Sequence, residues 1–249
     1  MLPWGSCQPA GHTKKVDQRM NIAIIPARGG SKRIVRKNIK LFDGKPMLAY
    51  AVTAASASGL FEHIVVSTDD EEIATIARKW GAETPFVRPA NLANDYTATV
   101  PVIDHGIQAC RALGWAFEYV CCVYPSVPFI QIDDLKAALD LLMAGGADYC
   151  FPVTKFPSAI QRALRRLDDG KMQAFYPEFE TIGTQDLEPA YHDAGQFYWG
   201  KAEAWLRNTR IHSGGIGYLI PNWRVVDIDT PEDWRRAEVL FKSISSLRG

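Results

Sequence analysis

The sequence predicts an α/β fold, with a mostly parallel sheet covered by helices on both faces. Two observations carry this. Short apolar or β-branched runs alternate with stretches whose apolar residues recur at helical spacing, which implies parallel strands joined by crossovers. The first apolar run, Ile22-Ala23-Ile24-Ile25, also passes straight into a cationic loop, the junction at which open α/β sheets place ligands.

The elements follow in order. After the loop, Leu48, Ala51, Val52 and Ala55 mark a helix, and His63 to Ser67 a short β-branched strand, completing a βαβ unit. Thr68, Asp69 and Asp70 then open a helix, with Glu71 and Glu72 in its first turn and Ile73, Ile76 and Ala77 as its apolar stripe. The alternation continues through an extended piece from Pro85 to Arg88, a helix from Thr99 to Leu113 and a strand from Tyr119 to Tyr124. A helix from Ile132 to Met143 and a strand from Tyr149 to Val153 complete it. From Thr154 to Tyr191, scattered Pro157, Gly170, Pro177, Gly183 and Pro189 break the pattern. This segment is expected to be an excursion for substrate or subunit contact. Residues 1–19, interrupted by Pro3, Gly5, Pro9 and Gly11, are expected to be a disordered extension to a single domain spanning 20–249.

Composition excludes several classes. Twenty-eight basic residues balance 28 acidic ones, so no net field attracts nucleic acid. No run of about 18 apolar residues suggests a membrane span. The five cysteines form no Cys-x-x-Cys pair, and an odd number suits a reducing cytoplasm better than a disulfide framework.

The loop Pro26-Ala27-Arg28-Gly29-Gly30-Ser31-Lys32-Arg33 opens a stretch that holds six Lys or Arg residues from Arg28 to Lys40. Adjacent glycines permit a tight turn and close backbone approach, and the charge invites a polyphosphate. The spacing fits neither a Walker A loop nor a dinucleotide fingerprint, which weakens ATPase and dehydrogenase readings. Near the other end, Val225-Val226-Asp227-Ile228-Asp229 reads as a strand that puts Asp227 and Asp229 on one face. Two such carboxylates repel unless a cation joins them, and their hard oxygens suit Mg²⁺ completed by water and phosphate. Thr230 and Pro231 then cap and begin a helix.

Taken together, Pro26 to Lys32, Lys37-Asn38, Val66-Ser67-Thr68-Asp69, Arg88-Pro89 and Ile228 to Asp233 resemble the cytidylyltransferases that activate nonulosonic acids, the family of CMP-sialic acid synthetases. The likeness extends from Met20 to the final helix. It implies a Rossmann-like fold of the nucleotide-diphospho-sugar transferase type, dimerised through an inserted segment. It also implies CTP held by the stretch Ala27, Arg28, Gly29, Gly30, Ser31, Lys32, Arg33 and Lys37, with Asn38 and Arg88 on cytosine or ribose and Thr97 nearby. Arg28 and Lys32 would serve catalysis with Asp227 and Asp229, which would hold Mg²⁺ while the sugar's anomeric hydroxyl attacks the α-phosphorus and pyrophosphate leaves. One departure is Val35, where relatives commonly have proline, which leaves the loop less preorganised.

Within the family, Phe151 to Thr154, Ile160 to Ala163, Thr184 to Leu187 and above all Tyr191 to Trp199 resemble the subgroup that activates pseudaminic acid. The sugar pocket implied comprises Gln161, Arg162, Tyr191, His192, Asp193, Gln196 and Tyr198, polar groups set among aromatics. Other readings are a sialic, legionaminic or eight-carbon ulosonic acid as acceptor, and a non-catalytic module that senses CTP.

Overall fold

The apolar run near the start forms β1 (Asn21–Pro26), whose first five residues are buried. This computed structural model describes residues 20–207 and 210–248, so the extension expected over residues 1–19 lies outside it. A small hairpin, β2 (Leu41–Phe42) and β3 (Lys45–Pro46), leads into α1 (Met47–Ser58), which ends on left-handed Gly59. Next come β4 (His63–Ser67), α2 (Glu71–Lys79), α3 (Thr99–Ala112), β5 (Tyr119–Val123), α4 (Ile132–Gly145) and β6 (Tyr149–Lys155). The excursion holds an antiparallel hairpin, β7 (Leu164–Arg166) and β8 (Met172–Ala174), and returns through β9 (Tyr191–Asp193). The chain closes with β10 (Phe197–Lys201), α5 (Ala202–Leu206), β11 (Ile216–Leu219) and α6 (Pro231–Arg248).

The main sheet runs β11-β6-β10-β5-β1-β4, with β9 added to β6. β1 pairs in parallel with β4 (Ile24 opposite Val65) and with β5 (Ile22 opposite Val120). β10 alone departs from the expected pattern along this path: it lies antiparallel between β5 and β6, with Trp199 opposite Cys121 on one side and Cys150 on the other.

Both sheet faces are covered, which explains why the strands read as continuous apolar runs. Ile25, Val66 and Trp199 pack with Leu48 and Val52 of α1, Ile73 of α2 and Leu135 of α4. Ile22, Ile24, Val120 and Tyr198 pack on the opposite face with Ile103 and Ile107 of α3 and Trp205 of α5. A third cluster joins distant chain segments: Ile34 and Phe42 meet Ile228, Trp234 and Ala237, with Phe42 edge-on to Trp234 at 5.4 Å. It seats the start of α6 beside the cationic loop.

Two segments expected to be extended join no ladder. Pro85–Arg88 is irregular, and only Glu83 bridges β4, at Val65. Val225–Asp229 is extended chain after a short 3₁₀ turn and pairs with no strand. Its alternation survives in the packing: Ile228 is buried and Val226 packs against the third cluster. No helix of the described residues is long and apolar enough to cross a membrane.

Candidate active site

A cleft of about 440 Å³ opens at the carboxyl ends of β1 and β5, where an open α/β sheet binds its ligands. Its wall is made by the loop after β1, the segment before α3, the turn after β5 and the extended chain before α6.

The loop's shape differs in one respect from the glycine hinge expected from sequence. Neither Gly29 nor Gly30 has a positive φ; the left-handed residue is Arg36, at φ 56°. Gly29 is needed for a close approach instead, because a Cβ there would lie 2.6 Å from Asp70 Oδ2. Its N–H donates to Asp69 Oδ1 at 2.9 Å. Ala27 is fully buried and its N–H donates to Ser67 O, so it anchors the loop's base and does not line the cleft. Arg36 fixes the far side by a bidentate pair with Asp70, the residue that caps α2 by accepting from Ile73 N at 3.0 Å. Asn38, also buried, donates to Arg28 O at 2.9 Å and closes the loop across ten residues.

What remains is a row of side chains turned to the cleft: Arg28, Ser31, Lys32, Arg33 and Lys37. Asp227 and Asp229 line the same cleft, although 190 or more residues away in sequence. Lys37 joins the two regions, its Nζ donating to Ile228 O at 2.7 Å and lying 3.3 Å from Asp229 Oδ1. Arg33 Nη2 lies 2.8 Å from Asp229 Oδ2. The repulsion between the carboxylates is therefore relieved on the Asp229 side by protein cations. Asp227 accepts no hydrogen bond and forms no ion pair among the described residues. The protein packed around it, and then Asp229, raise its carboxyl above the usual range.

Those two carboxylates fit a hard divalent cation. Mg²⁺ takes one or two protein carboxylates and fills its shell with water and phosphate, and Asp227 has its oxygens unspent. The described residues contain no cluster of three or more His, Cys, Asp or Glu able to hold a metal alone, so substrate oxygens would have to complete the set.

Arg88 is buried beside β4, its Nε donating to Ser67 Oγ at 3.1 Å and its Nη2 to Ser67 O. Burial lowers its pKa to about 10, a fall that the nearby Asp69 carboxylate opposes, so it stays charged at neutral pH. Thr97 lines the cleft with it. Three further cleft residues stand outside the set expected to bind substrate, and of these Asp95 carried no sequence signal. Asp95 pairs with both Arg28 and Lys32. Tyr124 bonds Thr99 at 2.8 Å. Ser126 has a buried hydroxyl with no partner among the described residues.

The residues expected to hold a sugar are dispersed. Tyr198 and Asp193 lie one layer behind the cleft: Tyr198 Oη donates to Asp193 Oδ2 at 2.8 Å, and its ring packs edge-on against cleft-lining Tyr124. Asp193 also meets His212 Nε2 at 2.7 Å and accepts from Gly195 N, a cleft residue. Gln196 is buried, donating to Arg224 O at 2.9 Å, with Oε1 unpartnered among the described residues. His192 lies tilted against Phe156, and Tyr191 is half exposed on β9. Gln161 and Arg162 do not line the cleft; they bond Glu188 O and Ile182 O within the excursion.

Comparison with known proteins bears on this geometry. The model of the cytidylyltransferase family matches residues 22–176. A pseudaminic acid cytidylyltransferase of Campylobacter jejuni is 40% identical over 89% of this chain and 96% of its own length. A CMP-N,N'-diacetyllegionaminic acid synthase of Legionella pneumophila is 31% identical over the same shares. Among solved structures, a CMP:2-keto-3-deoxy-manno-octonic acid synthetase complexed with CTP aligns over 90% of this chain and 99% of its own, with a TM-score of 0.67 at 13% identity, a likeness of fold.

Proposed function

Because the chain belongs to the cytidylyltransferase family, we propose that it transfers CMP from CTP to the anomeric hydroxyl of a nonulosonic acid, pseudaminic acid, and releases pyrophosphate. The observation that carries the reading is the cleft itself: cations from residues 28–37 face two carboxylates from residues 227 and 229, with Lys37 bridging them.

In the mechanism this supports, Arg28, Ser31 and Lys32 grip the β- and γ-phosphates and neutralise charge growing on the pyrophosphate as the α-phosphorus bond breaks. Gly30 adds an N–H with no partner among the described residues. Arg88, held rigid by Ser67, and Asn38 orient the nucleoside. Asp227 and Asp229 would hold Mg²⁺, which supplies charge neutralisation at the α-phosphate. Lys37 and Arg33 keep Asp229 placed throughout. Nucleotidyl transfer of this kind relies on in-line positioning, which a rigid cleft provides.

For the acceptor, Asp193, Gln196 and Tyr198 approach the cleft behind Tyr124 and Gly195, and the unpartnered Gln196 Oε1 and Ser126 Oγ are groups a polar sugar could satisfy. Gln161, Arg162, Tyr191 and His192 belong to the sugar reading only through the excursion. That excursion exposes Leu164, Met172, Phe175 and Tyr176, which supports a homodimer formed through it. The four described cysteines are free and buried, in keeping with a cytoplasmic enzyme.

The test is incubation with CTP, Mg²⁺ and a panel of nine-carbon sugars, reading pyrophosphate. Pseudaminic acid should turn over fastest. A preference for legionaminic or sialic acid would move the chain to another acceptor, and silence with every sugar would overturn the reading.

A further inference from the structure

Both leading cations of the phosphate loop are held by one acid that lies outside the loop. Asp95 Oδ1 is 2.6 Å from Arg28 Nη1, and Oδ2 is 2.6 Å from Lys32 Nζ. Lys32 first, and then Arg28, hold its carboxyl below the usual range. One carboxylate thus bridges two cations with its two oxygens, the contact that an edge of a phosphate group would make. Among the described residues, neither cation has another ion pair or side-chain hydrogen bond.

Asp95 is carried by a turn built to present it. Asn94 Oδ1 accepts from Tyr96 N at 2.8 Å and from Thr97 N at 3.0 Å, while Asn94 Nδ2 and Thr97 Oγ1 both donate to Asn91 O. The Asp95 side chain is 31% exposed, so it can turn to water without stranding a charge. Exposed pairs of this kind are individually weak, which suits a contact that must exchange.

Resting on the nucleotidyl-transfer reading above, we propose that Asp95 is a built-in competitor for the polyphosphate, a specificity residue that sets the minimum charge of the incoming ligand and helps expel the product. A lone monoanion gains little by replacing a carboxylate already in place. A triphosphate brings more charge and more oxygens to both cations, and displaces it. When pyrophosphate is released from the α-phosphorus it still sits on Arg28 and Lys32, and Asp95 returning to them weakens its hold. Binding that is no stronger in the transition state than in the ground state accelerates nothing, so relinquishing the part that would linger on the product favours turnover.

The experiment is calorimetric titration of the parent and of Asp95→Asn with pyrophosphate, CTP and cytidine at one ionic strength. Asp95→Asn keeps the shape of the turn and should bind pyrophosphate and CTP roughly three- to thirtyfold more tightly, the sum expected of two exposed ion pairs, with cytidine unchanged. Product inhibition by pyrophosphate should tighten by the same factor, and Asp95→Ser should repeat the gain. Unchanged or weaker pyrophosphate binding in the two folded variants would overturn the competitor, as would an equal gain for cytidine. A parent chain that binds neither CTP nor pyrophosphate would overturn the nucleotide reading itself, which separates the two failures.

Discussion

Asp227 and Asp229 stand two residues apart in opposite electrostatic conditions. Asp229 is neutralised by Arg33 and Lys37, whereas Asp227, though exposed as a residue, has a carboxyl pushed above its usual range by partial desolvation and then by Asp229. For an acid whose folded pKa is raised, stability falls as pH rises from the unfolded value through the folded one. Ionised Asp227 therefore destabilises the fold at neutral pH. Asp227→Asn should raise Tm at pH 7 relative to the parent, the gain shrinking in acid where the parent's carboxyl is protonated too. Turnover should fall by about a hundredfold, the range for losing a charge-stabilising group. A scan of Tm against pH with a pyrophosphate assay checks both, and near-parent turnover at saturating Mg²⁺ would remove Asp227 from the site. Lys32 has a side chain 80% exposed and no role in packing. Lys32→Ala should leave Tm unchanged and lower kcat at least about tenfold, and parent-like kcat would deny it the leaving-group role.

At the scale of elements, the loop after β1 depends on α2. Asp70 caps that helix, pairs with Arg36 and fills the space a side chain at residue 29 would need. Gly29→Ala would drive Asp70 off one or both partners. We expect a loss of roughly 1–2 kcal/mol in denaturant unfolding, the value of a lost cap with some strain, and a higher KM for CTP with a smaller change in kcat. Unaltered stability and KM would mean that α2 does not position the loop. Much of this was legible beforehand: periodicity located α1 to α4, the capping acids located α2, and the strand-to-cation junction located the loop. Other features were not. Val225–Asp229 has a strand's alternation because one side packs on Ile34 and Trp234, yet it lacks a neighbour to pair with, and pattern alone cannot tell these apart. Phe197, Tyr198 and Trp199, the aromatics among which the polar groups of the expected pocket are set, form β10, whose place between β5 and β6 depends on long-range pairing. Asp95 gave no signal, since a lone acid in a polar loop says nothing of the cations it will meet.

For the whole molecule, the consequence is that a ligand in the cleft ties the two ends of the fold together. Residues 28–37 follow β1, which lies between β5 and the edge strand β4, while Asp227 and Asp229 precede α6, which is held by the third cluster through Trp234 and Ala237. Lys37 already links these regions, but its ion pair with Asp229 is partly exposed and weak. CTP with Mg²⁺ would add contacts to both sides, and because the unfolded chain cannot assemble them, binding should appear as stability. At a hundred times its Kd, a ligand contributes about 2.7 kcal/mol, or roughly 5–10 °C in Tm for a chain of this size. The shift should shrink as salt is raised, because much of it comes from phosphate against exposed cations. In Asp227→Asn, the increment that Mg²⁺ adds to CTP should vanish while the shift from CTP alone persists. If Mg²⁺ still added its increment there, the acidic pair would be structural and the two ends of the chain would meet for packing alone.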